Sequence, residues 1–136
     1  MANAVTARLL FTQPNARKYI VHLTLISDGT NESAAVKVDR SALTTPAGVA
    51  PTAIKIASVR WNIQGITYVK LYWDHTNDDT ALVLSGNGYD NFENYGHLVD
   101  PNTDVEAVTG AIGDLVLTTV GAASGGSYDI TLECVI

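Results

Sequence analysis

Apolar residues recur at every second position through a series of short stretches, the period of a half-buried strand. In 67–74 Val69, Leu71 and Trp73 fall on one face, and Tyr68, Lys70, Tyr72 and Asp74 on the other. The polar run 75–79 stops that pattern and Ala81-Leu82-Val83-Leu84 starts another, so the two read as a hairpin. Gly86-Asn87-Gly88 closes it. A segment too aromatic for a linker and too polar for a strand follows, and reads as an ordered surface loop.

Residues 7–11 predict a short first strand, with 1–6 expected as an N-terminal arm and 7–136 as a single domain. Residues 19–26 are largely apolar on both faces, which predicts a central strand. A short strand is expected over 34–39, then a connection over 41–51 that holds two prolines and a glycine. Ile54 and Ile56 share one parity, whereas Val59, Trp61 and Ile63 share the other. That flip predicts a bulge near Ala57-Ser58, because one inserted residue exchanges the faces. Gln64-Gly65 then turns the chain into 67–74, which would bring Trp61 and Trp73 together across a hairpin. Two more strands, 115–120 and 128–136, flank a loop of small residues at 121–126. With about eight such strands and no convincing helix, the fold class is all-β, an antiparallel sandwich or jelly-roll-like domain.

Charge changes the picture. Charged residues make up 16% of the 136, below the roughly 25% of ordinary soluble domains, which suits a surface covered by other subunits. Up to Lys70 there are eight basic residues and three acids, net +5; beyond it there are eleven acids and no Lys or Arg, net −11, giving −6. Interleaved halves would pair these charges, whereas segregated halves would make a bipolar, head-to-tail subunit. Scattered basic residues beside an acidic half disfavour nucleic-acid binding. No apolar run reaches a membrane span, and no signal peptide is evident. The single cysteine, Cys134, excludes an intrachain disulfide and reads as a buried strand thiol.

Candidate chemistry is sparse. His22, His75 and His97 lack zinc-ligand spacing. Asp100, Asn102, Asp104 and Glu106 alternate like the opening of a calcium loop, but Val105 stands where the required glycine belongs. Asp74, Asp78 and Asp79 form a second acidic cluster, and both read as solvated turns. There is no G-x-S-x-G elbow, and Gly86-Asn87-Gly88 lacks the rest of a dinucleotide motif. The expectation is therefore no catalytic residues, no metal and no cofactor. The aromatics offer binding instead. Trp61, Trp73, Tyr68, Tyr72, Tyr89 and Tyr95 would suit a carbohydrate-binding module, although the tryptophans occupy core parity. An intersubunit surface fits at least as well: Tyr89, Phe92 and Tyr95 as contacts, Asn87, Asn91 and Asn94 as polar rim, Asp90 and Glu93 for basic partners, and Tyr68 and Tyr72 on a strand face.

The runs LYWDHTNDDTALVLSGNGYDNFENYGHLVDP and GDLVLTTVGAASGGSYDITLECV, with NAVTARLLF and YIVHLTLISDGTNESAAVKVD before them, resemble small virion structural proteins of tailed bacteriophages. The likeness spans most of the chain and carries no catalytic signature. It implies a non-enzymatic virion component, assembled in the host cytoplasm, whose partners are the major capsid protein or other virion subunits. A capsid decoration (cement) protein, dimeric or trimeric, comes first; a neck, adaptor or tail component and a carbohydrate-binding module are the alternatives.

Overall fold

The structure, a computed structural model, describes residues 3–12, 18–39, 54–74, 79–99 and 114–135. Among the described residues there are nine strands, all but β7 on the alternating stretches: β1 (Ala4–Thr12), β2 (Lys18–Asp28), β3 (Ala35–Val38), β4 (Lys55–Gln64), β5 (Tyr68–Trp73), β6 (Asp79–Leu84), β7 (Asn87–Asn91), β8 (Leu115–Val120) and β9 (Ser124–Val135). They form two antiparallel sheets, one ordered β1-β2-β9-β4-β7 and the other β3-β8-β5-β6. The expected antiparallel sandwich is the fold, five strands facing four.

Strand parity builds the core between the layers. Leu23 and Leu25 of β2, Val59 and Ile63 of β4, and Ile130 and Leu132 of β9 pack in one cluster with Val69, Leu71 and Trp73 of β5 and Leu115 and Leu117 of β8. The parity flip in β4 is a bulge as expected: the register with β9 shifts between Ile56 and Ser58, leaving Ala57 as the extra residue. Ile56 and Val59 thereby both reach the core despite opposite parity.

Two expectations need correction. β4 and β5 do not pair as a hairpin; they lie in different sheets, so Trp61 and Trp73 do not meet across one. The chain crosses between layers at Gly65, whose φ is +69° and where a Cβ would stand 2.8 Å from Gly126 Cα. A glycine turn in sequence does not say whether it closes a hairpin or rounds a corner. Gly86-Asn87-Gly88 does not simply close a turn either, since Asn87 and Gly88 begin β7, which returns to the first sheet beside β4. β2 is central as expected, between β1 and β9, although its outward face is only partly covered and Ile26 is exposed.

Smaller differences follow the same logic. Residues expected as an arm are strand from Ala4 onward, where Ala4, Val5 and Thr6 pair with Ile26, Leu25 and Thr24. β9 begins at Ser124, so part of the small-residue loop is strand, with Ser124 opposite Asp28. The connection at 41–51, the turn at 75–78 and the acidic run at 100–106 lie outside the described residues.

The charge asymmetry resolves through topology. β9 from the acidic half inserts between β2 and β4 from the basic half. Lys18 Nζ then lies 2.6 Å from Glu133 Oε1, and His22 Nε2 lies 2.6 Å from Asp129 Oδ1. In this sheet strands of the two halves interleave.

A further ion pair, unlike these, is buried. Lys37 Nζ sits 2.8 Å from Glu32 Oε2, with side chains only 4% and 9% exposed. Tyr128, reaching in from the opposite sheet, donates its hydroxyl to Glu32 Oε1 at 2.5 Å. Segment 31–34 is sewn to β8 as well: Thr119 Oγ1 accepts from the Glu32 N–H at 2.8 Å, and Thr118 Oγ1 accepts from the Ala34 N–H at 3.0 Å.

Cys134 is buried, as expected, and burial first, then the nearby Glu133 charge, pushes its thiol up to about 12. Thiolate is the reactive form. At pH 8 the native protein is expected to resist Ellman's reagent for hours while denatured chain reacts at once. Prompt labelling of native protein would contradict the packing of β9.

Candidate interaction surface

The segment from Asn87 to Leu98 is an edge strand followed by a tight turn, pinned to β4 along its length. Asn62, Trp61, Arg60, Val59 and Ser58 pair in turn with Asn87, Gly88, Tyr89, Asp90 and Asn91. Gly88 is required where it stands, because a Cβ there would meet the Trp61 ring at 2.6 Å. Trp61 covers the bare backbone and donates its indole N–H to the Ser85 carbonyl at 3.0 Å.

The bulge then anchors the turn. Ala57, the extra residue of β4, accepts the Phe92 N–H at 2.8 Å through its carbonyl. The Phe92 carbonyl takes the N–H groups of Tyr95 and His97 at 3.0 and 2.9 Å, around a single 3-10 turn at Glu93–Tyr95. Gly96, with φ of 78°, caps that turn, and Leu98 bridges back to Ile56. Asn91 supports the segment from within, its Oδ1 accepting the Glu93 N–H at 2.8 Å and its Nδ2 donating to the Tyr89 hydroxyl at 3.2 Å.

This fixed backbone sorts the expected contact residues. Tyr89 and Tyr95 are 56% and 83% exposed, and Asn87, Asp90, Asn91, Glu93 and Asn94 are exposed around them. Phe92 is not a free contact: its side chain packs against the core and holds the turn down. Tyr68 and Tyr72 do not join this surface, because β5 belongs to the other sheet. Tyr72 is also buried, its hydroxyl 3.3 Å from Thr118 Oγ1 and its ring 4.9 Å from Lys70 Nζ. The carbohydrate platform built on all six aromatics is likewise dismantled, since Trp73 is core and Trp61 packs against it.

No protein-family model, curated protein or solved structure matches this chain. The surface must therefore be read from its own chemistry.

Beside Tyr89 the outer face of the five-stranded sheet dips into a depression of about 270 Å³, lined by Ile20, Ser58, Arg60, Tyr89, Thr131 and Glu133. Four strands contribute, β2, β9, β4 and β7 in order across the sheet. Arg60 lies over the Tyr89 ring, 5.4 Å from its centroid. Glu133 is braced on both sides, by Lys18 Nζ at 2.6 Å and by the Ser58 hydroxyl, which donates to Oε2 at 3.3 Å. The hydrogen bond to Glu133, then its charge, raises the Lys18 ammonium above its usual range. Lys18 is half exposed, so this pair orients Glu133 more than it stabilises the fold.

Sequence reading missed all of these lining residues except Tyr89. Each is visible as an outward position of its own strand, but β2, β9 and β4 become neighbours only through the topology. Among the described residues, no three His, Cys, Asp or Glu side chains are grouped to hold a metal ion.

Proposed function

We propose that this chain is a non-enzymatic structural subunit of a phage virion, a capsid decoration protein that docks onto neighbouring capsid subunits as a dimer or trimer. The observation that carries the reading is the exposure of Tyr89 and Tyr95 on a backbone held in place by Ala57, Phe92 and Leu98. Rigid, exposed aromatics ringed by amides and carboxylates have the make-up of an interface centre with a polar rim, and lose little entropy on binding. The resemblance to small virion proteins supplies the partner class, and Asp90 and Glu93 suit a basic capsid face.

The test is occupancy on particles. Tyr95→Ala combined with Glu93→Lys is expected to lower occupancy at least tenfold, the loss of one interface anchor worth about 2 kcal/mol. Its melting temperature should stay that of the parent, because both side chains are exposed. Phe92 is left alone, since its loss would damage the core. Full occupancy by this variant would reject the reading.

A further inference from the structure

We propose that the depression between Arg60 and Glu133 is a saccharide site that takes one pyranose residue of a glycan. This goes beyond the docking reading and does not depend on it. The lining selects the ligand class by elimination. Arg60 has no carboxylate partner among the described residues, and Tyr89 beneath it steadies its donors. Glu133 stands in the same depression, so a phosphate or sulfate drawn by Arg60 would meet a carboxylate. A cationic or zwitterionic ligand would have to compete with Lys18, which already occupies Glu133 at 2.6 Å. An apolar ligand would strip water from Arg60, Glu133, Ser58 and Thr131 without replacing their hydrogen bonds.

A sugar ring suits every group present. Its hydroxyls accept from the Arg60 guanidinium and donate to Glu133, and they exchange bonds of either sense with Ser58 and Thr131. Its C–H face has the exposed part of the Tyr89 ring and the Ile20 side chain to pack on. Size agrees, since about 270 Å³ is below the roughly 300–1,000 Å³ of drug-sized pockets and has room for one ring. A shallow single-ring site binds weakly, with a Kd in the millimolar range.

The experiment is a titration of the full-length protein, observed by amide chemical shifts. The probes are chitotetraose, cellotetraose, a galactotetraose and a tetramer of uronic acid, each taken to about 20 mM, well above a Kd of about 1 mM. At least one probe is expected to give saturable shifts centred on Ser58, Arg60, Tyr89 and Thr131. Arg60→Ala and Thr131→Val should each weaken that binding at least fivefold with an unchanged melting temperature. Tyr95→Ala should leave it intact, and Thr131→Val, whose side chain lines the depression but has no part in the docking surface, should keep full occupancy on particles, so the two readings fail separately. The proposal is overturned by absence of saturable shifts with all four probes, by shifts that map elsewhere, or by equal shifts from acetate or inorganic phosphate.

Discussion

Lys37→Met is expected to lower stability by about 3–5 kcal/mol, because it leaves the Glu32 carboxylate buried without its counter-charge, faced only by the Tyr128 hydroxyl. In a domain of this size that is a fall in melting temperature on the order of 10–20 °C. Exposed ion pairs contribute far less, and the contrast with Lys18, whose partner Glu133 lies at the surface depression, is a built-in control. Lys18→Met should cost under about 1 kcal/mol. The double change Glu32→Gln, Lys37→Met should recover much of the loss, since removing both charges removes the desolvation penalty with them. Equal, small effects for Lys37→Met and Lys18→Met in thermal or denaturant unfolding would show that the pair is not buried in solution. The same cluster has a pH signature. Burial first, then the hydrogen bond to Glu32, raises the Tyr128 phenol above its usual range. The folded state therefore holds that proton more tightly than the unfolded chain. This contribution is complete below about pH 10 and is lost as pH rises beyond it. Tyr128→Phe should flatten the alkaline decline.

Trp73→Ala is expected to cost about 4–8 kcal/mol. Removing a buried aromatic forfeits about 3–5 kcal/mol of transfer and packing. The indole N–H also satisfies the buried Ile54 carbonyl at 3.0 Å, and stranding that acceptor adds about 1–3 kcal/mol. Trp73→Phe separates the two effects by keeping most of the ring while removing the donor, and should cost about 1–3 kcal/mol. Trp73 bridges the layers: it sits on β5 yet bonds to the chain entering β4. If Trp73→Ala unfolded at the same denaturant concentration as the parent, the facing of the two sheets would be wrong.

These residues mark how far the sequence could be read. Period-two alternation located all the longer strands, and the parity flip at Ala57-Ser58 located the bulge, because both are local properties of a pleated backbone. β7 was missed because Asn87-Gly88-Tyr89-Asp90-Asn91 has no apolar face; it is strand through its ladder with β4 and the Trp61 ring over Gly88. Phe92 and Tyr95 looked alike in sequence and differ in place, one half-buried against the core and the other exposed. The turn that sets them apart is anchored by long-range bonds to β4, Phe92 N–H to Ala57 and Leu98 to Ile56, which the sequence does not show.

From its residues alone, this chain is committed to pleated strands, a two-layer core and a buried Cys134, since each follows from which side chains alternate along a short stretch. Tertiary structure alone decided which strands are neighbours, and so whether β4 and β5 pair, where the acidic half meets the basic one, and how Ile20, Arg60, Tyr89, Thr131 and Glu133 come to share a depression. The reason is that strand order is set by long-range pairing and by which sheet each glycine corner enters, and neither leaves a periodic trace in the sequence.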